Sequence, residues 1–206
     1  MIVVRNARRE NLNEIVRLEN DIWPEGTRAR VDKFKSRLSI FPEGFFIAFK
    51  NNEIIGVSTS EIIDYNLENL TSWENITDNG YIRNHNKKGN ALYVVSVGAK
   101  SRSGGGSALI QAQIKLAEKL NMKFLVLGAR IPGYDEYCKV REVPILEYSR
   151  LKREDGSLYD PELRFYTRNG LILVKIIPNY MENDKESRNY GAIMMWENTK
   201  YYLDPH

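Results

Sequence analysis

Residues 91–110 constrain this chain more than any other stretch. Ala91-Leu92-Tyr93-Val94-Val95-Ser96-Val97 is almost continuously apolar, the pattern of a strand covered on both faces. A turn rich in glycine and serine follows, Gly98-Ala99-Lys100-Ser101-Arg102-Ser103-Gly104-Gly105-Gly106-Ser107. From 106 to about 120, Leu109, Ile110, Ile114, Leu116, Ala117 and Leu120 share one helical face, and Gln111, Lys115, Glu118 and Lys119 share the other. A buried strand that feeds such a turn and then an amphipathic helix places backbone N–H groups where an anion can reach them. The first helical turn leaves about four N–H groups unpaired, and the helix dipole adds partial positive charge there. Glycines let a phosphate approach the backbone with no Cβ in the way. Lys100 and Arg102 add charge nearby, and Ser101, Ser103 and Ser107 add hydroxyl donors.

Two familiar phosphate loops do not fit. The stretch has no G-x-x-x-x-G-K-[ST], and its glycines are not spaced G-x-G-x-x-G. The plainer reading is a tight turn with a purely structural purpose.

The remaining chain predicts a mixed α/β order. Residues 2–5 open as a strand, and Asn11 is placed to cap a helix running to about Trp23, before Pro24. A second helix is predicted over 30–38. Residues 44–49 and 53–63 read as two strands joined at Asn51-Asn52. Residues 64–90 are polar and without sustained period, and Trp73 suits packing of a loop or short helix onto the body. A strand is predicted at 123–128, a short helix at 145–151, a helix at 160–168 closed by Asn169-Gly170, and strands at 171–177 and 190–196. Residues 129–160 read as an irregular insertion. No repeat, linker or low-complexity tract divides the chain, so 1–206 is expected to form one domain around a mixed central sheet flanked by helices.

Charge and composition narrow the function. Thirty Lys and Arg against 27 Asp and Glu give a net charge of only +3, and no basic block stands out. The electrostatic footprint of a nucleic-acid binder is absent. No uncharged apolar run approaches the roughly 20 residues of a membrane span, and the opening apolar stretch is too short for a signal peptide. Cys138 is the single cysteine, so no intrachain disulfide forms. These features lead to the expectation of a cytoplasmic protein.

The stretch from Val95 to Ile110 resembles motif A of the Gcn5-related N-acetyltransferase (GNAT) superfamily, an R/Q-x-x-G-x-G/A loop after the fourth strand. Aligned on Gly104-Gly105-Gly106, the usual Arg or Gln falls on Ser101; shifted by one, Arg102 takes that place and Ser107 becomes the last small residue. Phe165-Tyr166-Thr167-Arg168-Asn169-Gly170-Leu171 resembles motif B, a tyrosine-bearing helix closed by glycine before a strand. Gly128-Ala129-Arg130-Ile131-Pro132-Gly133-Tyr134, Tyr159-Asp160-Pro161 and Pro178-Asn179-Tyr180 are similar to GNAT domains fused to carbon–nitrogen hydrolases. The resemblance implies a GNAT-like α/β fold and transfer of an acetyl group from acetyl-CoA to a primary amine of a small molecule or peptide. It implies that Val95, Val97, Gly98, Ser101, Arg102, Ser103, Gly104, Gly105, Gly106 and Ser107 hold acetyl-CoA. It also implies that Tyr166 protonates the departing sulfur, and that an amide near Val97 meets the oxyanion. The alternatives are a GNAT-like domain that binds CoA without catalysis and a different phosphate-binding α/β protein.

No single base is marked. Glu61 and Asp64 near the end of the third strand are expected to be exposed carboxylates, and Glu136 and Glu142 lie in the insertion. Arg130 and Tyr134 either line the acceptor cleft or pin the insertion. Cys138 has no His and acid pattern around it, and His85 and His206 are too few for a metal site. Phe45, Ile47 and Phe49 read as a core stripe, and Trp73 and Trp196 as packing residues. An exposed last strand at 190–196 is expected to offer an edge for a homodimer.

Overall fold

The computed structural model describes residues 1–202. The chain runs β1 (Val3–Asn6), α1 (Leu12–Ile22), α2 (Val31–Ile40), β2 (Phe46–Lys50), β3 (Glu53–Ile63), α3 (Trp73–Ile76) and β4 (Ala91–Ala99). It continues with α4 (Gly105–Lys119), β5 (Phe124–Ala129), α5 (Tyr134–Val140), α6 (Ile145–Tyr148), α7 (Pro161–Arg168), β6 (Ile172–Ile177) and β7 (Gly191–Glu197). The seven strands form one sheet in the order β1-β2-β3-β4-β5-β7-β6. No helix among the described residues is long and apolar enough to cross a membrane.

Local chemistry explains most boundaries. Asp160 caps α7, its carboxylate accepting from the N–H groups of Glu162 and Leu163, and Pro161 takes the first helical position. Gly170, at φ +92°, closes the same helix. Asn51 and Asn52, both with positive φ, make the turn between β2 and β3. Helix α1 buries Leu12, Ile15 and Leu18 against Phe34, Phe45, Ile47 and Val57, so the Phe45/Ile47/Phe49 stripe is core, with Phe49 half-buried at its edge.

The feature that positions the site is a fork between β4 and β5. These strands pair in parallel only from Ala91↔Phe124 to Tyr93↔Val126. Beyond Tyr93, β4 stays paired with β3 while β5 stays paired with β7. Tyr180, from the β6–β7 connection, fills the apex and shares a hydroxyl–hydroxyl hydrogen bond with Tyr93. A Cβ on Gly128 would overlap the Tyr180 ring, so glycine there admits the plug. The β3/β4 register also slips between Thr59↔Ser96 and Ser60↔Val94, leaving Val95 as the extra residue of a bulge.

Two expectations need correction. The last strand is no edge: β7 lies between β5 and β6, with Ala192, Ile193 and Met194 fully buried. An apolar strand at the chain terminus inserts where both faces can be covered, and β6 takes the edge in its place. Residues 129–160 are also not simply irregular, since α5, α6 and a Lys152↔Leu158 bridge organise them.

Candidate acyl-transfer site

Two clefts flank the free half of β4. The first, about 380 Å³, is lined by Val97 and Ala99 of β4, the loop residues Lys100 to Gly104, Gly106 and Ser107 of α4, and Glu162, Phe165 and Tyr166 of α7. Its loop is shaped by backbone conformation. Arg102 (φ +54°) and Gly104 (φ +81°) both adopt the left-handed region, and Gly104 caps α4. The Lys100 N–H donates to the Ile55 carbonyl at 2.8 Å, anchoring the loop to β3. The Gly105 N–H donates to Ser103 Oγ at 3.1 Å. Among the described residues, the N–H groups of Gly104, Gly106 and Ser107 have no partner. They are the unpaired first-turn donors that suit an anion.

Helix α7 closes the cleft from the opposite side. A Cβ on Gly106 would come within 3.1 Å of the Phe165 ring, which sets how near the two helices lie. Asn169 Nδ2 donates to Ser107 Oγ at 3.2 Å across the same contact. Tyr166 is buried apart from the cleft, and its hydroxyl has no hydrogen-bond partner among the described residues. Burial, and next the Glu162 carboxylate, push the Tyr166 hydroxyl far above its ordinary range, so it stays protonated.

Most of the expected binding residues meet here: Val97, Ser101, Arg102, Ser103, Gly104, Gly106, Ser107 and Tyr166. Three do not line this cleft. Val95 faces the other cleft, and its carbonyl accepts the Trp73 indole N–H at 2.9 Å. Gly98 is covered by Ile22 and Trp23, whose atoms would lie 2.3 and 2.8 Å from an added Cβ. Gly105 is buried against Ile55.

Glu162 belongs to the cleft and was not anticipated. It lies one helical turn before Tyr166, so an i, i+4 reading of α7 would have found it. Burial pushes its carboxyl up to about 8, with Arg130 opposing and the carboxylates of Asp160, Asp184 and Glu186 adding to the rise.

The second cleft, about 200 Å³, opens on the other side of β4. Its walls come from the α1–α2 connection, α2, α3, the bulge at Val95 and Ser96, and the β6–β7 connection. Trp23 lines both clefts and stands at their junction. One turn earlier on α1, Glu19 is 3% exposed. Its Oε1 accepts from the Ala29 N–H at 2.8 Å, and its other oxygen makes no hydrogen bond among the described residues. Burial raises the Glu19 pKa, opposed by the Ala29 hydrogen bond and then by Arg37 and Arg28.

The chain spans 97% of its own length and 90% of the uncharacterized N-acetyltransferase YkwB of Bacillus subtilis, at 32% identity. It belongs to the GNAT family. A second match, at 35% identity over 97% of the chain, is to the probable hydrolase YhcX of the same organism, of which the chain spans only 39%. Among solved structures, the loading GNATL domain of CurA from Lyngbya majuscula gives a TM-score of 0.82 at 24% identity, covering 96% of this chain and 98% of that one. The GphF GNAT-like decarboxylase in complex with isobutyryl-CoA gives 0.81 at 20% identity, covering 95% and 98%. At these identities the two structures speak to the fold alone. No family model matches.

Other residues of this GNAT domain have structural explanations. Glu61 is fully buried rather than exposed, and neither carboxylate oxygen has a partner. Burial is uncompensated there and lifts its pKa to about 8, against the pull of Arg37. Arg37 is itself buried and lowered to about 10 by burial; it donates to the Gly80 carbonyl, Thr59 Oγ1 and Ser96 Oγ. Asp64 is exposed and lines neither cleft. Arg130 pairs with Asp184 and Glu186 at 2.5 and 2.6 Å, and the Tyr134 hydroxyl donates to the Val143 carbonyl. Both therefore pin the segment that follows β5. Glu136 pairs with Lys139, and Glu142 with Arg188. Cys138 is buried. His85 Nδ1 accepts from the Ile62 N–H, and His206 lies outside the described residues. Among the described residues no group of three His, Cys, Asp or Glu could hold a metal.

Proposed function

We propose that this chain moves an acetyl group from acetyl-CoA to a primary amine of a small molecule or peptide by direct attack. The observation that carries the reading is the meeting of two chemically different clefts at Trp23, beside the free half of β4. One offers unpaired helix N–H groups to a pyrophosphate, and the other offers a buried carboxylate to an ammonium. The pyrophosphate is assigned to Gly104, Gly106 and Ser107, and the pantetheine arm runs along β4 past Val97 toward Trp23.

The amine must lose a proton before it attacks. Glu19 faces the acceptor cleft and takes the role of proton acceptor. The amine nitrogen forms a bond to the acetyl carbonyl carbon, an amide near Val97 meets the oxyanion, and the C–S bond then breaks with its electron pair on sulfur. The Tyr166 hydroxyl donates a hydrogen bond to that sulfur. Glu162 lines the same cleft, and burial keeps its carboxyl protonated near neutral pH, so it is a second source of that proton. The subgroup resemblance, to domains fused to carbon–nitrogen hydrolases, is supported by the partial match to a relative named as a probable hydrolase.

Thermal unfolding with acetyl-CoA, with ATP and NAD as controls, is the first test. At about 100 times Kd, acetyl-CoA is expected to add roughly 2.7 kcal/mol, a shift of a few degrees, and the controls none. An amine panel with acetyl-CoA then reads transfer. Binding without transfer across the panel would favour a sensing domain. Release of carbon dioxide from malonyl-CoA with no amine present would replace transfer by decarboxylation. No shift with any CoA compound would reduce the turn at 101–107 to a structural feature.

A further inference from the structure

The acceptor cleft carries incompletely paired charge of both signs. At its Trp23 end, Glu19 presents the carboxylate oxygen that has no partner. Trp23 lies one turn further along the same helix and borders the acetyl-CoA cleft, so this end faces the reacting thioester. Farther along, Lys33 of α2 holds its ammonium 5.9 Å from the Trp73 ring and 5.8 Å from the Tyr81 ring. It has no ion pair among the described residues, and its neighbour Asp32 is engaged by the Tyr81 hydroxyl at 2.6 Å. Arg28 also lines the cleft; its Nε donates to the Trp23 carbonyl, its charge acts on Glu19, and it makes no ion pair among the described residues.

Of the other charged residues on the cleft, Arg37 is committed and Glu74 only in part, and the Glu74 charge acts on Lys33. Arg37 is satisfied by Gly80, Thr59 and Ser96. One Glu74 oxygen accepts from the Glu182 N–H, and its second is buried without a partner. Burial depresses the Lys33 pKa, with Arg37 adding to the effect. Desolvated cations of this kind are stabilised by a ligand anion.

We propose that the acceptor is a small amino-carboxylate, a free amino acid or close relative, with its amine at Glu19 and its carboxylate at Lys33 and Arg28. This rests on the acceptor cleft assigned above. The volume agrees, since about 200 Å³ falls below the roughly 300–1,000 Å³ of pockets for drug-sized ligands. A peptide N-terminus would bring its amine without a nearby carboxylate and leave Lys33 and Arg28 unpaired.

The test is calorimetric titration of the full chain, saturated with CoA, using free L-amino acids, their methyl esters and short peptide amides. The best free amino acid is expected to lose at least about tenfold in affinity on esterification, the effect of one charge-assisted contact. Lys33→Met is expected to weaken the free acid by a similar factor and the ester by less than about twofold, with CoA affinity and melting temperature unchanged. Arg28→Met is expected to give the same pattern. Esters or peptide amides binding as tightly as the acids would overturn the proposal, as would absence of amino-acid binding. Carboxylate-dependent binding without transfer would keep the proposal and remove the transferase reading. If CoA fails to bind, the same titration on the unliganded chain still reads the acceptor cleft alone.

Discussion

The two clefts solve recognition in opposite ways. The cleft proposed for acetyl-CoA offers main-chain N–H groups fixed by a loop, with Arg102 and Gly104 in left-handed conformations and Gly106 admitting Phe165. Its donors cost little to hold ready, because the helix supplies them whatever side chains surround it. The cleft proposed for the acceptor depends on side chains from separate stretches of the chain, several of them charged and incompletely paired. Desolvated charges are expensive without a ligand, so this half stores the destabilisation and the discrimination. Substitutions in the first cleft should therefore change CoA binding or proton delivery, and substitutions around the second should change acceptor choice or pH response.

Tyr166 gives the sharpest test of the first half. Tyr166→Phe removes only the hydroxyl that has no protein partner, so folding and acetyl-CoA affinity are expected to hold. Loss of proton delivery to sulfur should lower kcat by about 10²–10⁴, measured by thiol release. A variant that keeps its kcat would leave Glu162, or water, as the direct donor.

Glu61 tests the cost of buried charge next to the second half. Its folded pKa, about 8, lies above an unfolded value of 4.5. The folded state therefore holds its proton more tightly. The stability it contributes is complete below pH 4.5 and is lost as pH rises toward 8. Between pH 4.5 and 7 the loss amounts to about 3 kcal/mol. Glu61→Gln cannot ionise, so denaturant melts of the variant should show a flatter decline over this range. Glu162 is raised in the same direction and stays in both proteins, so the difference between them isolates Glu61. Equal declines would mean that water or a rearranged Arg37 already compensates the charge.

Ser107 separates backbone recognition from side-chain recognition. At this third helical position an aspartate suits the helix dipole, and its oxygens keep the Asn169 partner. The same carboxylate faces the proposed pyrophosphate. Ser107→Asp should leave or slightly raise the melting temperature of the free protein while weakening acetyl-CoA about 100-fold, near 2.7 kcal/mol. Unchanged affinity would move the pyrophosphate away from the α4 N-terminus.

The same contrast explains what could be read from the sequence. The strand–turn–helix at 91–120 is continuous in the chain, and its glycines and apolar face announce both the fold and the loop whose N–H groups stay unpaired. Tyr166, which lines the first cleft, was singled out through a contiguous motif. Glu19, Lys33 and Arg28 were not found, because their neighbours come from residues 73–79, 95–96 and 181–183, and no local period brings those segments together. Glu61 was misjudged because β3 is covered on both faces, whereas a carboxylate near a strand end ordinarily reads as solvated. The last strand was misplaced because order in the chain does not give order in the sheet.

Trp73 offers the smallest effect and tests whether the bulge of β4 belongs to the acceptor half. Its indole N–H satisfies the Val95 carbonyl where β5 has already diverged. Trp73→Phe keeps a ring beside Lys33 and removes that donor, at a cost of about 1–2 kcal/mol in stability. A carbonyl released at the bulge frees Val95 and Ser96, which line the acceptor cleft, while the loop at 101–107 keeps its anchor on Ile55. The acceptor KM is therefore expected to rise by a few-fold with acetyl-CoA affinity unchanged, because a loss near 1 kcal/mol is worth about fivefold in binding. Equal weakening of both ligands would show that the bulge transmits strain along β4 past Trp23, and the two clefts would then act as one unit.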